Sequence, residues 1–189
     1  MWTTAKEAYA QVIRPWPFIL ACLLGFAICA SYPSDTQDYG PPNDSGLVLA
    51  SEHGLRFINT AVQVALPLLL RDKIGMAQLV FVGVSTTAAT HIVKRLLNNR
   101  VVWGTRLGQR PTGADSRSNM PSGHSSMASS AAYFVCRRYR FWHALYLIPI
   151  LLLTMFSRVE LNSHSVSAVI AGALLGFLMA ALFTSHRKV

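Results

Sequence analysis

Residues 157–164 read Ser157-Arg158-Val159-Glu160-Leu161-Asn162-Ser163-His164, and they run straight into SVSAVIAGALLGFLMAALFT, an apolar block at 165–184 with no charged side chain. A bilayer core about 30 Å thick takes roughly 20 apolar residues of helix. The block therefore reads as a membrane span, and the arginine and histidine ahead of it sit where that span meets water. Apolar blocks flanked by polar clusters recur along the chain, and this recurrence decides the fold.

Working outward, the apolar blocks fall at 16–32, 55–71, 74–95, 122–137, 141–157 and 165–184. They predict an all-α polytopic membrane protein, a bundle of six transmembrane helices forming one domain over 1–189. Hydrophobic residues make up 52% of the chain and charged residues 13%, which excludes an ordinary soluble domain. Residues 1–14 predict a short interfacial helix with Trp2, Tyr9 and Ile13 on its apolar side. The first block resembles a signal peptide, with Lys6 and Arg14 ahead of it and small residues near Ala30. The alternation of the other five works with it in place, so it reads as a retained helix. Cys22, Cys29 and Cys136 lie in or at the ends of apolar blocks and read as packing residues rather than a disulfide framework.

The net charge of +9 would suggest nucleic acid in a soluble protein. Here the basic residues cap apolar blocks, and no aromatic-rich RNA-binding motif or zinc-finger spacing occurs. A membrane surface is the expected partner, and nucleic acid is not. Lys6, Arg14, Arg71, Lys73, Arg137, Arg138, Arg140, Arg187 and Lys188 fall in alternate loops and at both termini, which places those on the cytoplasmic side. The outer loop at 33–54 carries Asp35, Asp38, Asp44 and Glu52 and no lysine or arginine. The segment 94–121 breaks the rule. It belongs outside, yet it holds Lys94, Arg95, Arg100, Arg106, Arg110 and Arg117. An anion-binding site at the outer face supplies a reason; arginines that hold lipid headgroups supply a plainer one.

Helix direction brings the chemistry together. The third span runs outward to Lys94, the fourth runs inward from Ser122-Gly123-His124, the fifth ends at Ser157-Arg158, and the sixth begins after His164. All four groups meet on one face. Pro121 suits the first turn of the fourth helix, whose free N–H groups, with Gly123 allowing close approach and Ser122 adding a hydroxyl, form an anion site. Arg110 and Arg158 are bidentate phosphate donors and Lys94 adds a point charge. His164 has the chemistry to attack phosphorus, and His124 to protonate the leaving oxygen and then activate water. A lone residue of any of these types at a helix end is usually an interfacial anchor. Their convergence is what argues for a site. Thr86, Thr87, Thr90 and His91 form a polar stripe leading to Lys94 that reads as helix packing, with His91 in a structural hydrogen bond, and Asp115 and Asn119 either shape the loop or touch substrate. Ala168, Ala171, Gly172, Ala173 and Gly176 suggest close helix packing.

Lys94 with Arg110-Pro111, then Pro121-Ser122-Gly123-His124, then Ser157-Arg158 with five residues to His164, resembles the three-part signature of the type 2 phosphatidic acid phosphatase superfamily. Over most of the chain the similarity is closest to the lipid A 1-phosphatases of Gram-negative bacteria, in Thr90–Arg95, Arg106–Pro111 and Asn119–Met127. The resemblance implies a six-helix fold and a metal-independent, cofactor-free lipid phosphatase. It implies His164 as nucleophile, His124 as general acid and base, and Arg158 completing the catalytic set. Lys94, Arg110, Ser122, Gly123 and Arg158 would hold the phosphate. The reaction implied is removal of the lipid A 1-phosphate at the periplasmic face of the inner membrane.

Two departures stand out. The lysine is farther upstream of Arg-Pro than the superfamily has it, so Lys94 takes the role across a longer loop, with Arg100 or Arg106 as alternatives. The aspartate expected four residues after the nucleophile is Ala168. The ring still needs an acceptor to fix its tautomer. Glu160 and Asn162 are the nearest candidates, a backbone carbonyl is another, and Arg106 and Asn119 are further pocket residues. Other readings are a phosphatase for phosphatidylglycerol phosphate or undecaprenyl pyrophosphate, a lipid A phosphotransferase, and a lipid-binding membrane protein that has lost the chemistry.

Overall fold

The computed structural model describes residues 2–36 and 40–187; Asp38, Lys188 and the side chain of Trp2 lie outside the described residues. The elements are α1 (Trp2–Ala10), α2 (Trp16–Ser31), α3 (Gly46–His53), a 3-10 turn (Leu55–Phe57), α4 (Ile58–Leu69) and α5 (Lys73–Leu97). There follow a short hairpin of β1 (Val101–Val102) and β2 (Thr105–Arg106), α6 (Gly123–Arg138), a second 3-10 turn (Phe141–His143), α7 (Ala144–Glu160) and α8 (Val166–Phe183). Each of the six expected apolar segments contains a helix. Among the described residues three stretches are long and apolar enough to cross a membrane, Lys73–Leu97, Phe141–Glu160 and Val166–Phe183, and Trp16–Ser31 is a shorter apolar helix.

Two expectations about loops are corrected. The segment 33–54 is not all loop, because α3 occupies its second half. The segment 94–121 holds the β hairpin, with Val101 opposite Arg106 and Val102 opposite Thr105. Its two turn residues, Trp103 (φ 52°) and Gly104 (φ 79°), take the left-handed conformations that tight hairpins need. At the N-terminus, α1 stops at Ala10 and docks through Ala8, whose carbonyl accepts from Gln78 Nε2 at 2.8 Å. Tyr9 and Ile13 face outward.

Helix α6 runs through the middle of the bundle, against α4, α5, α7 and α8. Its central place explains its composition. Neighbouring helices shield it from lipid, so it carries alanines and serines rather than an apolar rim. The hydroxyls of Ser126, Ser129 and Ser130 donate back to the carbonyls of Ser122, Ser126 and Met127 at 2.9–3.1 Å, which leaves these polar groups satisfied. On α8, a Cβ at Gly172 would collide with the Ser122 carbonyl, and one at Gly176 with the Ser126 carbonyl and Ser129 hydroxyl. Glycine at these positions is what lets the two backbones approach. The far side of α8 packs Leu175, Leu178 and Ala181 against Ile19 and Cys22 of α2. Among the described residues the three cysteines are free thiols.

One end of the bundle is tied by a buried ion pair. Arg138 Nε and Nη2 donate to the two Asp72 oxygens at 2.6 and 2.7 Å. Nη1 of Arg138 reaches Gln78 Oε1 and Ser185 Oγ, both at 3.1 Å. The cluster joins the start of α5, the end of α6 and the segment after α8. Asp72 is also the N-cap of α5, accepting from Gly75 N at 2.9 Å. Burial presses the Asp72 pKa up, but the bonds from Arg138 and Gly75 outweigh that and hold it below the ordinary carboxylate value. A depressed carboxylate pKa adds stability that is fully present above about pH 4 and is lost as pH falls through the folded-state value. Asp72→Ala strands the Arg138 charge and is expected to destabilise the protein by about 3–5 kcal/mol at neutral pH. The fall in thermal midpoint in detergent checks this, and the difference from wild type should shrink in acid.

Candidate active site

The opposite end of the bundle collects the expected site residues, and local backbone geometry explains their spacing. Helix α7 ends in a Schellman motif. Asn162 adopts the left-handed conformation (φ 52°), the Asn162 N–H donates to Val159 O at 2.9 Å, and the Ser163 N–H donates to Arg158 O at 3.1 Å. The His164 N–H also donates to Arg158 O at 3.1 Å. The five residues between Arg158 and His164 are thus one helix-end turn, which folds the histidine back beside the arginine. Asn162 is needed for that turn, and its Nδ2 donates to Gly40 O at 2.7 Å. It does not orient His164.

His164 is 2% exposed, and its Nδ1 lies 2.8 Å from the main-chain oxygen of Asn119. A carbonyl only accepts, so Nδ1 carries the proton and Nε2 keeps its lone pair. The Asn119 side chain holds the same geometry from a second direction. Its Oδ1 accepts from Ser165 N and its Nδ2 donates to Ser165 Oγ, both at 3.0 Å. Asn119 N in turn donates to Gly108 O at 3.0 Å. The acceptor that Ala168 does not supply is therefore a backbone oxygen. Ala168 itself is fully buried in an apolar cluster with Leu107, Met120 and Ala171. Glu160 is elsewhere: its carboxylate accepts from Asn43 Nδ2 at 2.7 Å in an exposed position.

Around the ring stand three cations. Burial first, then the charges of Lys94, Arg158 and Arg110, push the His164 pKa down to about 2 against a small upward pull from the Asn119 bond. The shift favours the neutral ring near pH 7. Arg158 is 8% exposed, and its Nη1 donates to Glu52 Oε1 at 2.7 Å. The Nε atoms of Arg158 and Arg110 are buried and without a hydrogen-bond partner among the described residues. Burial and the nearby Arg158 charge both lower the pKa of Arg110. Lys94 Nζ donates to Ser118 O at 2.9 Å. Buried donors beside mutually repelling cations make a site for a multiply charged anion.

Helix α6 begins at Gly123 with Ser122 as its N-cap, so Pro121 precedes the cap rather than filling the first turn. Ser122 is fully buried. Its Oγ accepts from Ser125 N at 3.4 Å and from Ser125 Oγ at 3.1 Å, and its N–H donates to Ala168 O at 2.9 Å. Its side chain caps the helix; Gly123 and His124 are half-buried, and His124 lies within electrostatic reach of Arg158, Arg56, Glu52 and Lys94. Arg106 departs from expectation as well. Its guanidinium is spent on the carbonyls of Asn98, Ala114 and Ser116, where it braces the loop.

Two residues of the site were missed at the level of sequence. Glu52 on α3 bonds both Arg158 and Arg56, and it acts electrostatically on His124. Burial raises its pKa, but Arg158, Arg56 and His124 bring it below the ordinary value, so it is ionised. The four-residue spacing of Glu52 and Arg56 was the available signal.

A family model described as the PAP2 superfamily matches residues 75–188. The chain belongs to the PAP2 superfamily. Its sequence is 44% identical over 170 residues to a lipid A 1-phosphatase of Helicobacter pylori strain 26695, covering 90% of this chain and 88% of the relative. It is 34% identical over 151 residues to a lipid A 4′-phosphatase of Helicobacter pylori strain J99, covering 78% and 75%. The fold resembles the crystal structure of a PAP2-type phosphatidylglycerolphosphate phosphatase from Bacillus subtilis, with a TM-score of 0.51 at 22% identity over 85% of this chain and 91% of that one. As a PAP2 protein with these relatives the chain is a multi-pass membrane phosphatase.

If Asn119 rather than Glu160 sets the ring, the two substitutions separate. Asn119→Ala is expected to lower kcat by about tenfold to a hundredfold, as the loss of Ser165 bonding loosens the loop that carries the acceptor. Glu160→Ala should stay within about twofold of wild type. Phosphatase assays on the two purified variants decide between these positions.

Proposed function

We propose that the chain, as a single integral-membrane domain over 1–189, removes the 1-phosphate of lipid A at the periplasmic face of a bacterial inner membrane, through a phosphohistidine. The chemistry rests on one observation above the others: a neutral His164 whose Nδ1 is held by the Asn119 carbonyl and whose Nε2 is left to react. The substrate rests on the higher identity to the 1-phosphatase, 44%, than to the 4′-phosphatase, 34%.

In this reading Lys94, Arg110, Arg158 and the Gly123 and His124 N–H groups bind the phosphate oxygens, and they stabilise the charge that builds on them at the transition state. His164 Nε2 attacks phosphorus, and the bond from phosphorus to the sugar oxygen breaks as His124 passes that oxygen a proton. Water then attacks the phosphoryl group, His124 takes its proton, and the P–N bond breaks to release inorganic phosphate and neutral His164. Glu52 keeps Arg158 aimed and offsets part of the positive field at His124. No step calls on a metal or cofactor.

The topology follows from which groups share an end. Along α5, Gln78 of the Arg138 cluster and Lys94 of the site are about 24 Å apart at 1.5 Å per residue, close to a bilayer core. With six spans, the Arg138 end and both termini lie in the cytoplasm and the histidine end faces the periplasm. The lysines and arginines that fall at both termini and in alternate loops support this orientation, and the anion site accounts for those in 94–121.

Purified wild type is expected to release phosphate from lipid A 1-phosphate, and His164→Ala to lose at least about a thousandfold in kcat, as removal of a nucleophile does. Activity retained by His164→Ala sinks the reading. Faster turnover of phosphatidylglycerol phosphate or undecaprenyl pyrophosphate than of lipid A in the same micelles moves the substrate to those lipids.

A further inference from the structure

The catalytic phosphate does not use all the positive charge at this end of the bundle. Of the basic residues in 94–121, Arg106 is spent on loop carbonyls, and Lys94 and Arg110 face the reacting phosphate. Arg95, Arg100 and Arg117 remain, and of these Arg95 and Arg117 share one recess. Both are exposed, and among the described residues neither guanidinium has a hydrogen-bond or ion-pair partner. They are not scattered. His91, Lys94 and Arg95 project from one face of α5 at spacings of three and four residues, and Arg110, Arg117 and Ser118 face them across a recess of about 490 Å³. The Lys94 bond to Ser118 O closes the recess on its inner side. Among the described residues no carboxylate lines it, and neither do His124, His164 or Arg158.

We infer that this recess is a second anion site, in which Arg95, Arg117 and His91 hold a second phosphate on the headgroup of the same substrate molecule while the first phosphate reacts. The inference rests on the lipid A reading above. Lys94 and Arg110 form the shared wall between the two sites, so one headgroup carrying two separated phosphates can engage both. The names of the two Helicobacter relatives mark lipid A as such a molecule, with phosphates at positions 1 and 4′. His91 is exposed and lines the recess without a side-chain hydrogen bond among the described residues, which corrects the structural bond expected for it. Unpaired arginines around a concave, acid-free surface are the arrangement that recognises phosphate. A second phosphate bound alike in ground and transition states lowers KM and leaves kcat alone.

The test compares two substrates in uncharged detergent micelles: lipid A phosphorylated at positions 1 and 4′, and lipid A carrying the 1-phosphate only. In the full-length double variant Arg95→Gln/Arg117→Gln, kcat/KM on the bisphosphate is expected to fall about tenfold to a hundredfold, almost wholly through KM. Activity on the monophosphate should stay within about twofold of wild type, which also shows that the variant is folded. A parallel fall on both substrates, or no fall on either, overturns the second site while leaving the lipid A reading intact. Stimulation of monophosphate hydrolysis by added phosphatidylglycerol, in wild type but not in the variant, assigns the recess to a neighbouring lipid and also overturns the proposal. A wild type that hydrolyses neither lipid overturns both readings.

Discussion

The close approach of α6 and α8 is the constraint on which the rest of the structure depends. Glycine at 172 and 176 removes the side chains that would strike the α6 backbone. The approach lets the Ser122 N–H reach the Ala168 carbonyl at 2.9 Å, which fixes the start of α6 on the first turn of α8. Asn119 lies just before that junction and His164 just before α8, so a helix-packing contact sets the hydrogen bond that orients the His164 ring. A carbonyl at 2.8 Å defines the tautomer as well as a carboxylate does. It does not neutralise the ring, so in the proposed mechanism a phosphoryl group on Nε2 would be held on a better leaving group.

The electrostatics of the site follow the same economy. Lys94, Arg110 and Arg158 repel one another, and burial strengthens that repulsion by excluding water. Glu52 relieves part of it through Arg158 and Arg56. The buried Nε–H groups of Arg110 and Arg158 are left without a partner among the described residues. The same positive field favours a multiply charged anion, and after burial, the larger cause, it helps to hold the His164 pKa low.

What could be read in advance was what side-chain type and spacing encode. The six helical segments were visible as apolar blocks, and the pairing of Arg158 with His164 was visible because one helix-end turn fixes their separation. The small residues on α8 pointed correctly to tight packing. What was illegible depends on backbone groups or on distant partners. A backbone carbonyl is expected only as a class, because nothing in a side chain singles out Asn119, whereas Glu160 and Asn162 stand out as the polar residues nearest in sequence. Glu52 lies 106 residues from Arg158 and looked like one more acid in an outer loop. Arg106 was indistinguishable by type from Arg110, yet one braces a loop and the other faces the pocket. Helix α6 reads as a weak membrane span for a reason of position, since its neighbours rather than lipid surround it.

The most direct measurement is the identity of the phosphorylated atom. Brief reaction with a phosphorylated lipid substrate, followed by alkaline quenching, mass-spectrometric mapping and 31P NMR of the labelled peptide, reads both the residue and the ring nitrogen. With Nδ1 held by Asn119, the phosphoryl group must sit on Nε2 of His164. A phosphoryl group on Nδ1, a label on any other residue, or turnover with no phosphoenzyme would contradict the account.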